Sequence, residues 1–152
     1  MDTGELLSFT KDGHQIWARY HDSGKEYIKN PITCIDVHKK RSEYVVVGHD
    51  RGQLILIDTT ETKKVVKKIN DHHKNSAVVN VKFCDWIKER NLEDVLQQNN
   101  KRTISKKEDK QNWMFVSTDL EGRVLVNTVE SIMGYKKASK IIVIDPKKDL
   151  DR

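Results

Sequence analysis

Three segments of this chain carry the same device, an Asp and a Gly set between two runs rich in β-formers. They are Ser8-Phe9-Thr10-Lys11-Asp12-Gly13-His14-Gln15-Ile16, Val47-Gly48-His49-Asp50-Arg51-Gly52-Gln53-Leu54-Ile55 and Ser117-Thr118-Asp119-Leu120-Glu121-Gly122-Arg123-Val124-Leu125. A tight turn between paired strands needs residues that tolerate positive φ, and an Asp carboxylate can bond the neighbouring backbone. Each segment therefore predicts a β-hairpin, with Asp12, Gly13, Asp50, Gly52, Asp119 and Gly122 as its turn residues and Glu121 lengthening the third turn by one.

The spacing of these turns sets the architecture. Gly13 and Gly52 are 39 residues apart, close to the roughly 40–45 of a four-stranded propeller blade. Gly52 and Gly122 are 70 apart, and taking out residues 86–112 as an insertion brings that to 43. One blade is then predicted from strands at 32–37, 44–47, 53–57 and 64–69, and a second from 77–83, 113–117, 123–129 and 140–144. Segments 5–9, 14–20 and 26–28 supply three strands of an earlier blade. The fold expected is all-β, a partial WD-repeat-like β-propeller of about two and a half to three four-stranded blades with one helix/loop insertion. It occupies residues 1–145 and leaves 146–152 as a polar tail. In the insertion, residues 85–96 suit a short helix capped by Asp85, and 97–111 suit a flexible loop. Propellers hide their strand edges in closed rings of 4–8 blades, so an open wedge of this size is expected to expose both flanking sheet faces.

Composition narrows the function. Of the 152 residues, 34% are charged and 36% hydrophobic, below the roughly 45–50% apolar content of an ordinary domain. No run approaches the ~20 apolar residues of a membrane helix, and Met1-Asp2-Thr3-Gly4-Glu5 lacks a signal peptide's basic and apolar regions. A cytosolic protein is expected, and Cys34 and Cys84, without CxxC spacing, suit a reducing compartment. The net charge of +5 comes from lysines scattered along the chain, which is weak support for an anionic partner.

The chemistry-bearing residues point away from catalysis. Cys34 and His38 have CxxxH spacing but no second half, so no metal is expected. The glycines form neither GxGxxG nor GxxxxGK[ST], so no nucleotide or other cofactor is expected. Asp71-His72 precedes the strand at 77–83 and resembles the Gly-His pair that WD repeats place there, a resemblance that implies bonds from His72 to Ser117 and Asp119 inside the blade; alternatively His72 and His73 are solvated loop residues. A Ser117-His72-Asp119 triad lacks a G-x-S-x-G elbow. Trp17 and Trp113 read as blade-packing residues, which leaves Trp86 on the insertion as the candidate partner contact. Lys63, Lys64, Lys67 and Lys68 guard an outer strand edge against aggregation.

The four-stranded period resembles WD-repeat propellers, with Ile57-Asp58 and Asn127-Thr128 where Trp-Asp is usual. A closer resemblance is carried, in order, by Ile32-Thr33-Cys34-Ile35-Asp36-Val37, Val47 to Leu54, Ala77-Val78-Val79-Asn80-Val81-Lys82-Phe83 and Gly122-Arg123-Val124-Leu125. Ser131-Ile132-Met133-Gly134-Tyr135-Lys136-Lys137 follows them. Together these resemble the propeller of the vacuolar protein sorting-associated protein 8 family. The resemblance implies a non-catalytic protein-interaction module of a CORVET-like endosomal tethering subunit, acting in endosome-to-vacuole/lysosome protein transport. Its implied partners are other tether-complex subunits and an early-endosomal Rab GTPase, with a cytoplasmic location peripheral on endosomal membrane and no nucleic acid. The alternative is a generic WD-repeat scaffold or adaptor with weak binding to nucleic acid or anionic membrane.

Overall fold

A computed structural model of the chain describes residues 7–9, 12, 15–18, 31–60, 64–84 and 112–150. Ten strands and one helical turn lie within them: β1 (Leu7–Phe9), β2 (Gln15–Ala18), β3 (Ile32–Val37), β4 (Tyr44–His49), β5 (Leu54–Asp58), β6 (Lys64–Ile69), β7 (Val78–Cys84), β8 (Asn112–Asp119), β9 (Val124–Ile132), β10 (Tyr135–Ile144) and α1 (Pro146–Asp149). Strands β3-β4-β5-β6 form one antiparallel meander and β7-β8-β9-β10 a second, while β1 pairs with β2 alone. The two meanders are the two predicted blades, and the fold is a partial β-propeller.

Alternation and burial follow from position in each blade. Strand β3 alternates between half-buried and exposed residues, as expected of a strand with one face toward water. Strand β4 is buried from Val45 through His49, because both faces of the blade interior are covered. On the face toward the second blade, Val46, Leu54, Leu56 and Ile69 pack with Val78, Val81, Trp113, Phe115 and Val129 in one cluster. On the opposite face Val45, Val47, Ile55 and Ile57 form another, all at 6% exposure or less. Among the described residues, the outer strand β10 carries an exposed apolar run, with Ile141, Ile142, Val143 and Ile144 each 44–59% exposed.

The blades meet closely at Gly48. A Cβ there would lie 2.6 Å from Cys34 Sγ and 2.7 Å from Val78 Cγ1, so the missing side chain is what lets β7 approach β4. Beside it the Thr33 hydroxyl donates to Gly48 O at 3.1 Å and also to Val78 O. Asp36 then accepts from the Phe83 N–H at 2.7 Å and from Lys82 Nζ at 3.0 Å. The two inner strands are thus tied by side chain to backbone bonds as well as by apolar contact.

Several boundaries differ from the sequence reading. Strand β10 starts at Tyr135 rather than 140, because Met133-Gly134 is a two-residue hairpin turn that pairs Ile132 with Tyr135. Lys136, Ala138 and Lys140 alternate toward the first blade, so a lysine-rich segment that reads as loop is a strand whose charged tips reach past the core. Asn112 belongs to β8 rather than to the insertion, and residues 146–149 of the polar tail form α1. The predicted helix and loop at 85–111, and the strand at 26–28, lie outside the described residues.

Gly52 closes the β4–β5 turn at φ +83°. A Cβ there would stand 2.8 Å from Ser76 O and 3.2 Å from His73 Cβ, against the loop that leads into β7. Replacing Gly52 by Val adds left-handed strain of about 1–3 kcal/mol to this collision. Urea denaturation of Gly52→Val is expected to show at least that loss of stability, and an unchanged midpoint would contradict the turn geometry.

Candidate functional site

The polar groups buried in the second blade form a single chain of hydrogen bonds. Its anchor is Asp119, which is 3% exposed and must have all its lone pairs satisfied if it is to stay ionised. Oδ1 accepts from the backbone N–H of Glu121 at 3.0 Å and of Arg123 at 3.1 Å, which closes the β8–β9 turn around Gly122. Oδ2 accepts from Arg123 Nε at 2.8 Å and from His73 Nδ1 at 2.7 Å. Burial pushes the Asp119 carboxyl up, but the bonds from His73 and Arg123 together with the Arg123 charge outweigh it and hold the group below its ordinary value.

The direction of every later bond follows from that carboxylate. It can only accept, so His73 carries its proton on Nδ1. Burial of the ring, followed by the positive charge of Arg123, keeps His73 neutral against the opposing pull of Asp119 and lowers its pKa. Nε2 of a neutral ring must accept, and the Ser117 hydroxyl lies 2.6 Å away to donate. Ser117 Oγ in turn accepts from Asn127 Nδ2 at 2.8 Å, whose other N–H reaches Phe115 O at 3.2 Å. Asn127 Oδ1 then takes the His72 Nδ1–H at 2.7 Å. His72, His73, Ser117, Asp119 and Asn127 are all buried.

This corrects the sequence reading in two ways. The histidine on Ser117 and Asp119 is His73 rather than His72, and neither ring is a solvated loop residue. The reason lies in the loop backbone: Lys74 and Asn75 are both left-handed, at φ +46° and +65°, and the tightened turn brings His73 rather than its neighbour over β8. His72 is used by Asn127. An indole at position 127 would offer one N–H and no acceptor, whereas the amide has a carbonyl that needs a donor and so recruits the second ring.

The Ser117-His73-Asp119 spacing matches that of a hydrolytic triad, yet the arrangement is a structural one. Ser117 is 1% exposed and its oxygen is occupied on both sides, as donor to His73 and acceptor from Asn127. A nucleophile needs an approach path and donors for the developing oxyanion. At 1% exposure Ser117 has no such approach path.

A second grouping, which the scattered positions in the sequence hid, lies at the other end of the blades. The Arg41 guanidinium stacks 5.2 Å from the Tyr44 ring centroid and 5.5 Å from that of Trp113, and donates to Asn112 O at 2.8 Å. Lys136 Nζ lies 5.3 Å from the same indole, and Lys67 Nζ bonds Lys136 O at 2.9 Å. Tyr44 meets Trp113 edge to face at 5.0 Å. Two basic residues distant in sequence, Arg41 and Lys136, therefore converge on one aromatic pair by cation–π contact, and Lys67 joins them through the Lys136 carbonyl. Trp113 Nε1 is buried without a hydrogen-bond partner, so the ring acts here through its faces and edge.

The other residues singled out from sequence have simpler settings. Asp50 and Asp12 are exposed, and Gly52 and Gly122 hold positive φ. Gly13 and Trp86 lie outside the described residues. Cys34 sits in the seam between blades, where burial pushes its thiol pKa up, while His38 Nδ1 accepts the backbone N–H groups of Lys40 and Arg41 and so caps the β3–β4 loop. These two side chains serve different local structures rather than a shared ion. Among the described residues, no helix is long and apolar enough to cross a membrane.

Antiparallel four-stranded meanders stacked face to face, with β3 and β7 innermost and the polar chain fixing the loop between blades, define a β-propeller of the interaction-module class. The family model described as Vps8 beta-propeller matches residues 1–148, and the chain belongs to that family. A search of curated proteins returns no match.

The buried rings make stability pH-dependent. His72 and His73 are both held below 6.5 by burial, so between their folded values and 6.5 the unfolded chain binds protons that the folded one does not. Stability is complete above that range and falls as pH drops through it, with a slope of up to about 1.4 kcal/mol per pH unit for each ring. Asp119 adds a further loss only under more acidic conditions, below its unfolded value of 3.8. Urea denaturation at a series of pH values is expected to show this decline, and His72→Gln should make it shallower; a flat profile from neutral to mildly acid pH would contradict the neutral buried rings.

Proposed function

We propose that the chain acts as a non-catalytic protein-interaction module of a CORVET-like endosomal tethering subunit, in endosome-to-vacuole/lysosome protein transport. The observation that carries the reading is the family match, which runs through both blades and the turns between them. The implied partners are other tether subunits and an early-endosomal Rab GTPase, and the implied place of action is the cytoplasmic surface of endosomes. Family membership supports vesicle tethering in general; the choice of complex, GTPase and compartment is the proposal.

A non-catalytic role is supported by the setting of Ser117, His73 and Asp119, whose polar atoms are spent on one another. In this reading Asp12, Gly13, Asp50, Gly52, Asp119 and Gly122 are structural turn residues of a unit spanning 1–145, and Trp86 on the 86–112 insertion contacts a partner. The exposed run Ile141 to Ile144 offers additional apolar surface on the outer strand.

Affinity purification of the endogenously tagged protein from its source cells tests this reading. Tether subunits and a GTP-loaded endosomal Rab are expected to co-purify, and Trp86→Ala to reduce their recovery. Recovery of none of them, with another complex enriched instead, would favour the generic scaffold.

A further inference from the structure

The β9–β10 hairpin has a tip that the fold itself does not explain. Met133 and Gly134 occupy it at φ +46° and +88°, the pair of left-handed residues that a two-residue type I′ turn requires. Asn-Gly is the favoured sequence there, because Asn tolerates that backbone and Met does not. The Met133 side chain gains nothing in return: it is 100% exposed, and Tyr135 beside it is 57% exposed. A strained residue presenting a flexible apolar side chain wholly to solvent points to a ligand outside the chain.

The surroundings give that ligand its chemistry. Arg41 reaches Asn112 O, and Asn112 pairs with Glu130 only two residues before the end of β9. The β3–β4 loop, with exposed Lys39 and Lys40, therefore stands at the same end of the blades as the hairpin and its exposed Lys137. An apolar and aromatic tip with exposed lysines at the same end of the blades matches the interfacial region of an anionic bilayer. Met and Tyr can enter the headgroup layer while ammonium groups meet phosphates. An acidic protein segment would use the same lysines, and capture by immobilised polyglutamate distinguishes it.

We propose that this end of the blades docks on an anionic phospholipid surface, with Met133 and Tyr135 entering the headgroup layer and Lys39, Lys40 and Lys137 meeting its phosphates. The proposal goes beyond the tether-module reading, and its test involves no tether subunit, so either can fail without the other.

Co-sedimentation of the full chain with vesicles of phosphatidylcholine alone, and with phosphatidylserine added, provides the measurement. Binding is expected only to the anionic vesicles and is expected to weaken as salt is raised. Reversing Lys39 and Lys40 together to Glu should lower it by on the order of tenfold or more, since each lysine near such a surface is worth about fivefold. The same charge change at Lys147 and Lys148, which lie on α1 at the opposite end and are 76% and 77% exposed, should leave most of the binding intact. Equal loss from both variants would reduce the effect to net charge and overturn the proposal. Met133→Asn separates ligand contact from folding: it is expected to raise Tm while weakening vesicle binding. Binding unchanged in that variant, or capture of the chain by immobilised polyglutamate but not by anionic vesicles, would also overturn it.

Discussion

A carboxylate sealed inside a β-sheet has to be matched at every lone pair, and the second blade is arranged around meeting that demand at Asp119. Its two oxygens take four donors, which fixes the β8–β9 turn and locks the ring of His73. That ring orients Ser117, Ser117 orients Asn127, and Asn127 holds His72. Because Arg123 also donates to His73 O at 2.5 Å and Lys140 to the carbonyls of Asp71 and His72, the loop between the blades is bound from both sides. Breaking one link leaves a buried donor or acceptor without a partner, which is where the cost of such a change arises.

The two ends of the blades are therefore built differently. At the turn end, directional hydrogen bonds and glycines at positive φ hold the loops. At the hairpin end, cations stacked on Tyr44 and Trp113 join the first blade to the second, with less directional demand. Between the ends the seam depends on an absence: without a side chain at Gly48, Cys34 and Val78 occupy its space and the inner strands close up. Among the described residues, this layout leaves the hairpin tip and the Ile141–Ile144 run of β10 exposed, while Ser117, His73 and Asp119 are spent on one another.

Much of this was legible in the sequence wherever it rests on local backbone chemistry. The turn residues of the β4–β5 and β8–β9 hairpins, the blade period and the strands of the first blade follow from Asp-Gly spacing and alternation. The choice between His72 and His73 was not legible, because it depends on left-handed backbone at Lys74 and Asn75, and a lysine gives no signal of that conformation. The early start of β10 was hidden for a related reason, since Met-Gly takes the place of the usual Asn-Gly and the following lysines look like a loop. The meeting of Arg41, Trp113 and Lys136 depends on blade stacking, which single-chain periodicity does not encode. Placing Lys39 and Lys40 at the same end of the blades as Lys137 needed the same tertiary information.

The central claim is that the buried chain runs in one direction from His72 to the Asp119 carboxylate through neutral rings. Nitrogen-15 NMR of the histidine side chains at neutral pH measures this most directly, because it reports which ring nitrogen carries the proton. The account predicts neutral His73 and His72 with the proton of each on Nδ1, both slow to exchange with solvent. An Nε2–H tautomer or an imidazolium at His73 would reverse the bond to Ser117 and contradict it.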